Sequence, residues 1–67
     1  MLTLTLNGKP HQITTDLTVR ALLAELQLPE QLVVIEYNGD ILHRQHWGET
    51  QVQEGDRLEV VTVVGGG

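Results

Sequence analysis

Only one stretch of this sequence has the apolar spacing of an α-helix, and that stretch is too short to be stable by itself. Thr18 stands before it as a candidate N-cap, and Pro29 prevents the helix from extending beyond residues 27–28. A helix of about two and a half turns needs tertiary packing, so we predict that it lies on a β-sheet. The residues that share one helical face, at positions i, i+3, i+4 and i+7, are Val19, Leu22, Leu23 and Leu26.

Strand signals flank this helix on both sides. Residues 2–6 alternate between leucine and threonine, and the Asn-Gly pair that follows predicts a tight hairpin returning through residues 11–14. A further strand, turn and strand signal spans residues 32–44, again with an Asn-Gly pair at its turn. Strands with a single helix across them predict an α+β fold of two layers.

The last strand, residues 57–64, runs directly into three glycines. Because both faces of this strand are largely apolar, we place it in the middle of the sheet. Glycine is depleted in strands, so the chain changes character abruptly at Gly65. We therefore expect one domain over residues 1–64 and a flexible glycine tail over residues 65–67. A linker remnant would also give a glycine run, but linkers usually contain Ser, which this chain lacks.

The composition excludes several classes of function. Nine acidic residues against four basic ones give a net charge of −5, the wrong sign for binding nucleic acid or a membrane surface. Cys and Ser are both absent, so covalent catalysis, disulfides and thiolate metal sites lack their usual groups. No signal peptide or apolar run of about 20 residues is present, which predicts a cytoplasmic protein. We expect a monomeric domain that acts with partners and is not itself an enzyme.

Features along the whole chain resemble the sulfur carriers of thiamine biosynthesis, which belong to the ubiquitin-like β-grasp group. The shared features are the first hairpin turn, the short helix, the segments NGDIL, EGDRLEVV and VGGG, and the residues Arg44 and Trp47. The family often has Pro where this chain has His43, and Phe where it has Val63. The resemblance implies a mixed sheet of four to five strands in which the first and last strands pair in parallel, with one helix packed across one face.

The same resemblance implies the chemistry of the glycine tail. An E1-like adenylyltransferase would use ATP to activate the carboxylate of Gly67, because joining it to AMP supplies the leaving group that a carboxylate lacks. A sulfur donor such as a cysteine desulfurase would then allow a thiocarboxylate to form, and thiazole synthase would receive the sulfur. Gly65 and Gly66 would thread the terminus into each partner, since residues without Cβ fit a narrow channel. The chain itself would bind no cofactor and no metal.

We also predict a docking face on the last strand. By strand alternation, Val61 and Val63 lie opposite the face of Leu58, and Glu59 lies on the same side as the two valines. If the helix covers the Leu58 face, the valines form an exposed apolar patch that leads to the tail. A second layer of core formed by loops would bury them instead. Glu59 would suit a basic surface on a partner.

The region between the fourth and fifth strands contains residues with more than one interpretation. His43 and His46 form an H-x-x-H pair, which we interpret as ordinary surface because a metal site needs further ligands and orienting partners. Arg44 would pair with an acidic neighbour or with a partner protein. Trp47 is expected to pack under its loop as a core anchor.

Three other functions compete with the sulfur carrier. The small subunit of molybdopterin synthase also ends in glycines, and the enzymes that co-purify with the chain would distinguish it. A ubiquitin-like modifier would form adducts on lysines of other proteins. An interaction module whose tail has no role would keep its function after removal of residues 65–67.

Overall fold

A five-stranded sheet with one α-helix across it makes up the described part of the chain, residues 1–14 and 16–63 of a computed structural model. Two short 3₁₀ turns, Glu30–Leu32 and Arg44–Glu49, complete the connections. The strands and helix in chain order are β1 Leu2–Leu6, β2 Lys9–Ile13, α1 Val19–Glu25, β3 Val33–Tyr37, β4 Asp40–Leu42 and β5 Arg57–Thr62. No helix in these ranges is long and apolar enough to cross a bilayer.

The strand order in the sheet is β2-β1-β5-β3-β4, which places β5 in the centre. β1 and β5 run parallel, whereas β1–β2, β3–β4 and β3–β5 are antiparallel. The central position of β5 is as predicted, but only one of its faces is covered, because Leu58 is 0% exposed whereas Val61 on the other face is 58% exposed. The predicted mixed sheet and β-grasp arrangement are therefore confirmed.

Both predicted hairpin turns are present, and their backbone explains the choice of residues. Asn7 and Gly8 have φ of 51° and 82°, and Asn38 and Gly39 have φ of 53° and 93°. Two successive positive φ angles match the right-handed twist of the strands on either side, and Asn-Gly adopts them at little cost. The turns consequently fix the register of β1 on β2 and of β3 on β4.

The helix begins where the sequence predicts. The Thr18 hydroxyl accepts a hydrogen bond from the backbone N–H of Ala21 at 3.1 Å, which satisfies one of the free donors at the helix start. The helix ends at Glu25, and the chain then turns away through Gln27 in a left-handed conformation, with φ of 59°. Val19, Leu22 and Leu23 are buried against the sheet, as the helical spacing predicts.

The long connection from β4 to β5 passes the start of the helix and closes one end of the core. Val19 N–H donates to the carbonyl of Thr50, and Val52 N–H donates to that of Leu17, each at 2.9 Å. Trp47 is 1% exposed and packs in the core, which confirms its predicted role as an anchor. The buried apolar residues among those described are Leu4, Ile13, Val19, Leu22, Leu23, Val33, Ile35, Trp47, Val52 and Leu58.

Candidate functional site

The glycine tail assigned to sulfur chemistry, residues 65–67, lies outside the described residues, as does Val64. The sheet can be followed as far as Val63, whose backbone N–H donates to the carbonyl of Leu32. This bond continues the antiparallel ladder of β3 and β5 by one residue. The roles of Gly65, Gly66 and Gly67 therefore stay predictions, and the geometry of the site is that of the surface leading to them.

The outer face of the sheet, opposite the helix, carries exposed apolar residues near the end of β5. Val61 is 58% exposed and Val63 is 47% exposed, so the expected apolar surface is present and loops do not form a second core over these valines. Val34 lies directly across from Val61 in the β3–β5 register, and Leu32 is bonded to Val63. We call this set, Leu32, Val34, Val61 and Val63, the tail-side patch.

Two carboxylates face each other next to the tail-side patch. Glu59, predicted to contribute to docking, lies opposite Glu36 of β3, and both are exposed. Like charges directly across two strands destabilise the pairing slightly, so this arrangement is not explained by the stability of the sheet. A basic group supplied by another molecule would relieve the repulsion.

Sequence reasoning missed the half of this surface that β3 contributes. Strand alternation shows that Val34 and Glu36 share a face, but it does not reveal which strand lies beside them. The register of β3 on β5 places Val34 against Val61 and Glu36 against Glu59. The long-range pairing thus doubles both the apolar and the acidic part of the predicted docking face.

A buried carboxylate holds the start of β5 in place. Asp56 is 8% exposed, and its Oδ2 accepts hydrogen bonds from the Tyr37 hydroxyl and from Gln53 N–H, the latter at 2.7 Å. Its Oδ1 accepts from Asn38 Nδ2 at 3.1 Å, while Asn38 Oδ1 accepts from Arg57 N–H at 2.8 Å. The network joins the β3–β4 turn to the first residue of β5, and thereby orients the strand that leads to the tail.

This network also changes the acidity of Tyr37. Burial raises the pKa of the Tyr37 hydroxyl from 10.0 to about 12, and the hydrogen bond to Asp56 and the charge of its carboxylate act in the same direction. Burial disfavours the phenolate because its charge would lose water, and Asp56 disfavours it because a second negative charge would lie against the carboxylate. Tyr37 is therefore a neutral donor over the whole physiological range of pH.

The connection between β4 and β5 carries Arg44 and the H-x-x-H pair, His43 and His46, on its exposed side. His46 Nδ1 is 2.9 Å from Glu49 Oε1, and His43 is exposed. Within residues 1–14 and 16–63, no group of three or more His, Cys, Asp or Glu side chains could hold a metal ion. The carbonyl of Arg44 accepts a hydrogen bond from Arg20, but its guanidinium has no acidic partner among the described residues.

Comparison with known proteins gives matches over nearly the whole chain. The ThiS family matches residues 4–67. The sulfur carrier protein ThiS of Bacillus subtilis is 37% identical over 65 residues, which cover 96% of this chain and 98% of that protein. The thiazole synthase of Paramagnetospirillum magneticum is 36% identical over 64 residues, which cover 96% of this chain and 20% of that protein. This chain thus spans about a fifth of the length of that relative.

The fold is likewise shared with a solved structure. A crystal structure of the thiamine biosynthesis protein ThiS from Geobacter metallireducens superimposes with a TM-score of 0.84 at 36% sequence identity. The match covers 98% of this chain and 100% of that one.

Proposed function

Because the chain belongs to the ThiS family, we propose that it is a sulfur carrier for the synthesis of the thiazole ring of thiamine. The observation that carries the proposal is the match over residues 4–67, which includes the final glycines as well as the folded domain. In this role the carboxyl group of Gly67 is the reacting group, and the domain of residues 1–64 presents it to other enzymes.

The chemistry proceeds in two steps at one carbon atom. An E1-like adenylyltransferase joins the Gly67 carboxylate to the α-phosphate of ATP, which forms an acyl adenylate and releases pyrophosphate. Hydrosulfide then attacks the carbonyl carbon, displaces AMP and loses its proton, which leaves a thiocarboxylate on Gly67. A donor such as a cysteine desulfurase supplies this sulfur as a persulfide, which a thiol reductant, itself oxidised to a disulfide, reduces to sulfide. The anion of such a group is the reactive form, so this chain needs no Cys and no catalytic base of its own.

We assign the tail-side patch to the docking of the adenylyltransferase. Val61 and Val34 are exposed on the face away from the helix, and Val63 of the patch is four residues before Gly67 in the sequence. An apolar surface of this kind, beside Glu36 and Glu59, which form no salt bridge within residues 1–14 and 16–63, suits a partner surface with an apolar centre and a basic rim. Docking here would limit the region that the tail must search and so lower the entropic cost of ordering it.

Thiazole synthase is the proposed acceptor of the sulfur. Thiazole synthases from Paramagnetospirillum magneticum and Magnetococcus marinus each contain a segment that is 36–37% identical to this chain and makes up about a fifth of their length. Joining a carrier-like domain to its acceptor in one polypeptide raises their effective concentration. That arrangement supports a functional pairing of the separate chain with a thiazole synthase.

Intact mass measurement tests the proposal directly. The full chain is incubated with the adenylyltransferase, ATP and a sulfide source, and we expect a species in which sulfur replaces one oxygen, located at Gly67 by fragmentation. Omitting ATP is the matched control and leaves the mass unchanged. Addition of thiazole synthase and its small-molecule substrates should restore the original mass.

Other results would contradict the proposal. An unchanged mass with an adenylyltransferase that is active on another carrier would rule out the sulfur chemistry. Return of the original mass with the large subunit of molybdopterin synthase, but not with thiazole synthase, would favour the alternative pathway. Adducts on lysines of other proteins would indicate a protein modifier.

A further inference from the structure

A second surface of the molecule has the opposite charge to the chain as a whole. The net charge is −5, yet two of the four basic residues, Arg20 and Arg44, line one open cleft of about 480 Å³ together with His43 and Gln45. Arg20 is on the helix and Arg44 begins the 3₁₀ turn after β4. The fold therefore brings together two cations that are far apart in the sequence.

Arg20 forms a salt bridge with a neighbouring side chain, whereas the Arg44 guanidinium can still bind a group from another molecule. Arg20 Nε is 3.5 Å from Glu30 Oε2, and Arg20 Nη2 donates to the carbonyl of Arg44 at 3.4 Å. Glu30 can offset one of the two guanidinium charges. No acidic side chain in the described part of the chain pairs with the guanidinium of Arg44. An arginine in this state is suited to a carboxylate brought by another molecule, which it can bind with two parallel hydrogen bonds.

An apolar pocket of about 170 Å³ adjoins the cleft and shares His43 and Arg44 with it. Trp47 forms part of its lining and is held in place because its indole N–H donates to the carbonyl of Leu42 at 2.9 Å. A cavity of roughly 150 Å³ accommodates a group the size of benzene. The pocket therefore has room for one apolar side chain.

The edge of the sheet is open beside this pocket. β3 begins at Val33, but β4 pairs only with residues Ile35 to Tyr37 because the chain turns away at His43. Val33 and Val34 line the pocket and extend beyond the reach of β4, so the pocket borders the tail-side patch at Val34. An extended segment of another protein could lie along this part of the edge, with alternate side chains directed toward the pocket.

We propose that the cleft and the pocket together form a groove that binds a short acidic segment of a partner protein. An apolar side chain of that segment occupies the pocket beside Trp47, and a carboxylate one or two residues away binds Arg44. A free phosphate would use only the cationic cleft, whereas this groove also offers the pocket and an open strand edge. The proposal goes beyond the sulfur-carrier function and does not depend on the chemistry of Gly67.

A titration followed by NMR tests this groove on the full, isotope-labelled chain. The probe is the peptide acetyl-Leu-Glu-Asp-amide, and its neutral counterpart acetyl-Leu-Gln-Asn-amide is the control. Trp47 is the only Trp, so its indole N–H signal reports on the pocket without ambiguity. We expect saturable shifts of the Trp47 indole and Arg44 Nε–H signals with a Kd of about 1 mM. The neutral peptide should bind about fivefold more weakly, because it lacks the carboxylates that pair with arginine.

Two variants separate recognition by Arg44 from a general effect of charge. Arg44→Gln should weaken binding of the acidic peptide by about fivefold. Lys9→Gln removes the same charge from β2, at the far edge of the sheet, about four strand spacings or roughly 19 Å away from β4. That distance exceeds the Debye length of about 8 Å, so the Kd should change by less than about twofold.

The remaining outcomes would overturn the proposal. No saturable shift, equal binding of the neutral peptide, or equal weakening by Arg44→Gln and Lys9→Gln would each show that the groove does not recognise a carboxylate. The same shifts of Trp47 with inorganic phosphate alone would make the site a small-anion site and not a peptide groove. Thermal unfolding of Arg44→Gln and Lys9→Gln, both at exposed positions, should match that of the unaltered chain and so confirm that the two variants are folded.

Discussion

Asp56 shows how one residue can position a functional strand at some distance from the chemistry. Among the described residues it is the one charged residue that is buried, and three hydrogen bonds compensate its loss of water. The sequence places Asp56 directly after Gly55. It does not predict the partners Tyr37 and Asn38, because these reach Asp56 only through the pairing of β3 with β5.

The raised pKa of Tyr37 makes stability depend on pH in the alkaline range. The folded protein retains the Tyr37 proton up to about pH 12, whereas the unfolded chain loses it near pH 10.0. Unfolding therefore releases a proton between these values, so stability contributed by Tyr37 is complete below pH 10.0 and falls as the pH rises to about 12. Chemical denaturation across this range measures the slope.

The variant Tyr37→Phe is the control for this effect. It removes the titrating group, so the part of the slope due to Tyr37 should disappear. Tyr37 is the only Tyr, and the absorbance of tyrosinate gives its pKa independently. A midpoint at the ordinary value in the folded protein would contradict the interaction with Asp56.

Substitution of Leu22, a core residue, tests the prediction that this face of the helix is buried. The Leu22 side chain is 0% exposed, so Leu22→Ala leaves a cavity and should lower the free energy of unfolding by about 2–5 kcal/mol. Leu32→Ala removes the same atoms from a position that is 44% exposed and should cost less than about 0.5 kcal/mol. Urea denaturation of both variants provides the comparison. Equal losses would mean that the helix does not bury Leu22.

At the scale of the elements, local patterns predict most of the fold. The Asn-Gly turns, the cap at Thr18 and the apolar faces of β5 each specify their element through neighbouring residues, and all three are confirmed. The 3₁₀ turns at Glu30–Leu32 and Arg44–Glu49 were not predicted, because such short elements have no periodic apolar face. The cleft beside Arg44 depends on the second turn and was therefore missed as well.

The docking role of β5 can be tested apart from its structural role. Val61→Glu places a charge where we expect a desolvated interface, so the affinity for the adenylyltransferase should fall by more than about tenfold. In the free protein the new carboxylate lies in water, because Val61 is 58% exposed. The midpoint of thermal unfolding should therefore change by no more than a few degrees. Binding is measured by calorimetry and unfolding by circular dichroism.

The matched control for Val61→Glu is Gln12→Glu on the same face of the sheet. Gln12 is exposed on β2, opposite Thr3, and lies away from the tail-side patch. It changes the charge by the same amount and should leave the affinity nearly unaltered. If Val61→Glu unfolds the protein, or if both variants weaken binding equally, the tail-side patch is not the docking surface.

At the scale of the whole molecule, an acidic chain carries a cationic groove. The net charge of −5 and the pair Glu36 and Glu59 favour approach of a basic surface to the tail side. Arg20 and Arg44 offer a carboxylate site at the β4 edge. Neither arrangement follows from composition alone, because the strand pairing and the position of the helix decide which charges become neighbours. The resemblance to sulfur carriers, and not the local patterns, predicted the parallel pairing of β1 with β5.

The position of the terminal carboxylate is the final test, because the whole domain is proposed to present that group. Adding one Ala after Gly67 leaves residues 1–64 unchanged but moves the carboxylate outward by roughly 3.3–3.6 Å in an extended chain. An error of about 1 Å can already cost a hundredfold in a preorganised site, so adenylation should be abolished while thermal stability stays normal. Deletion of Gly67 should do similar damage because the carboxylate then falls short. ATP-pyrophosphate exchange by the adenylyltransferase compares the three proteins, and undiminished exchange with either altered chain would show that the position of Gly67 is not critical.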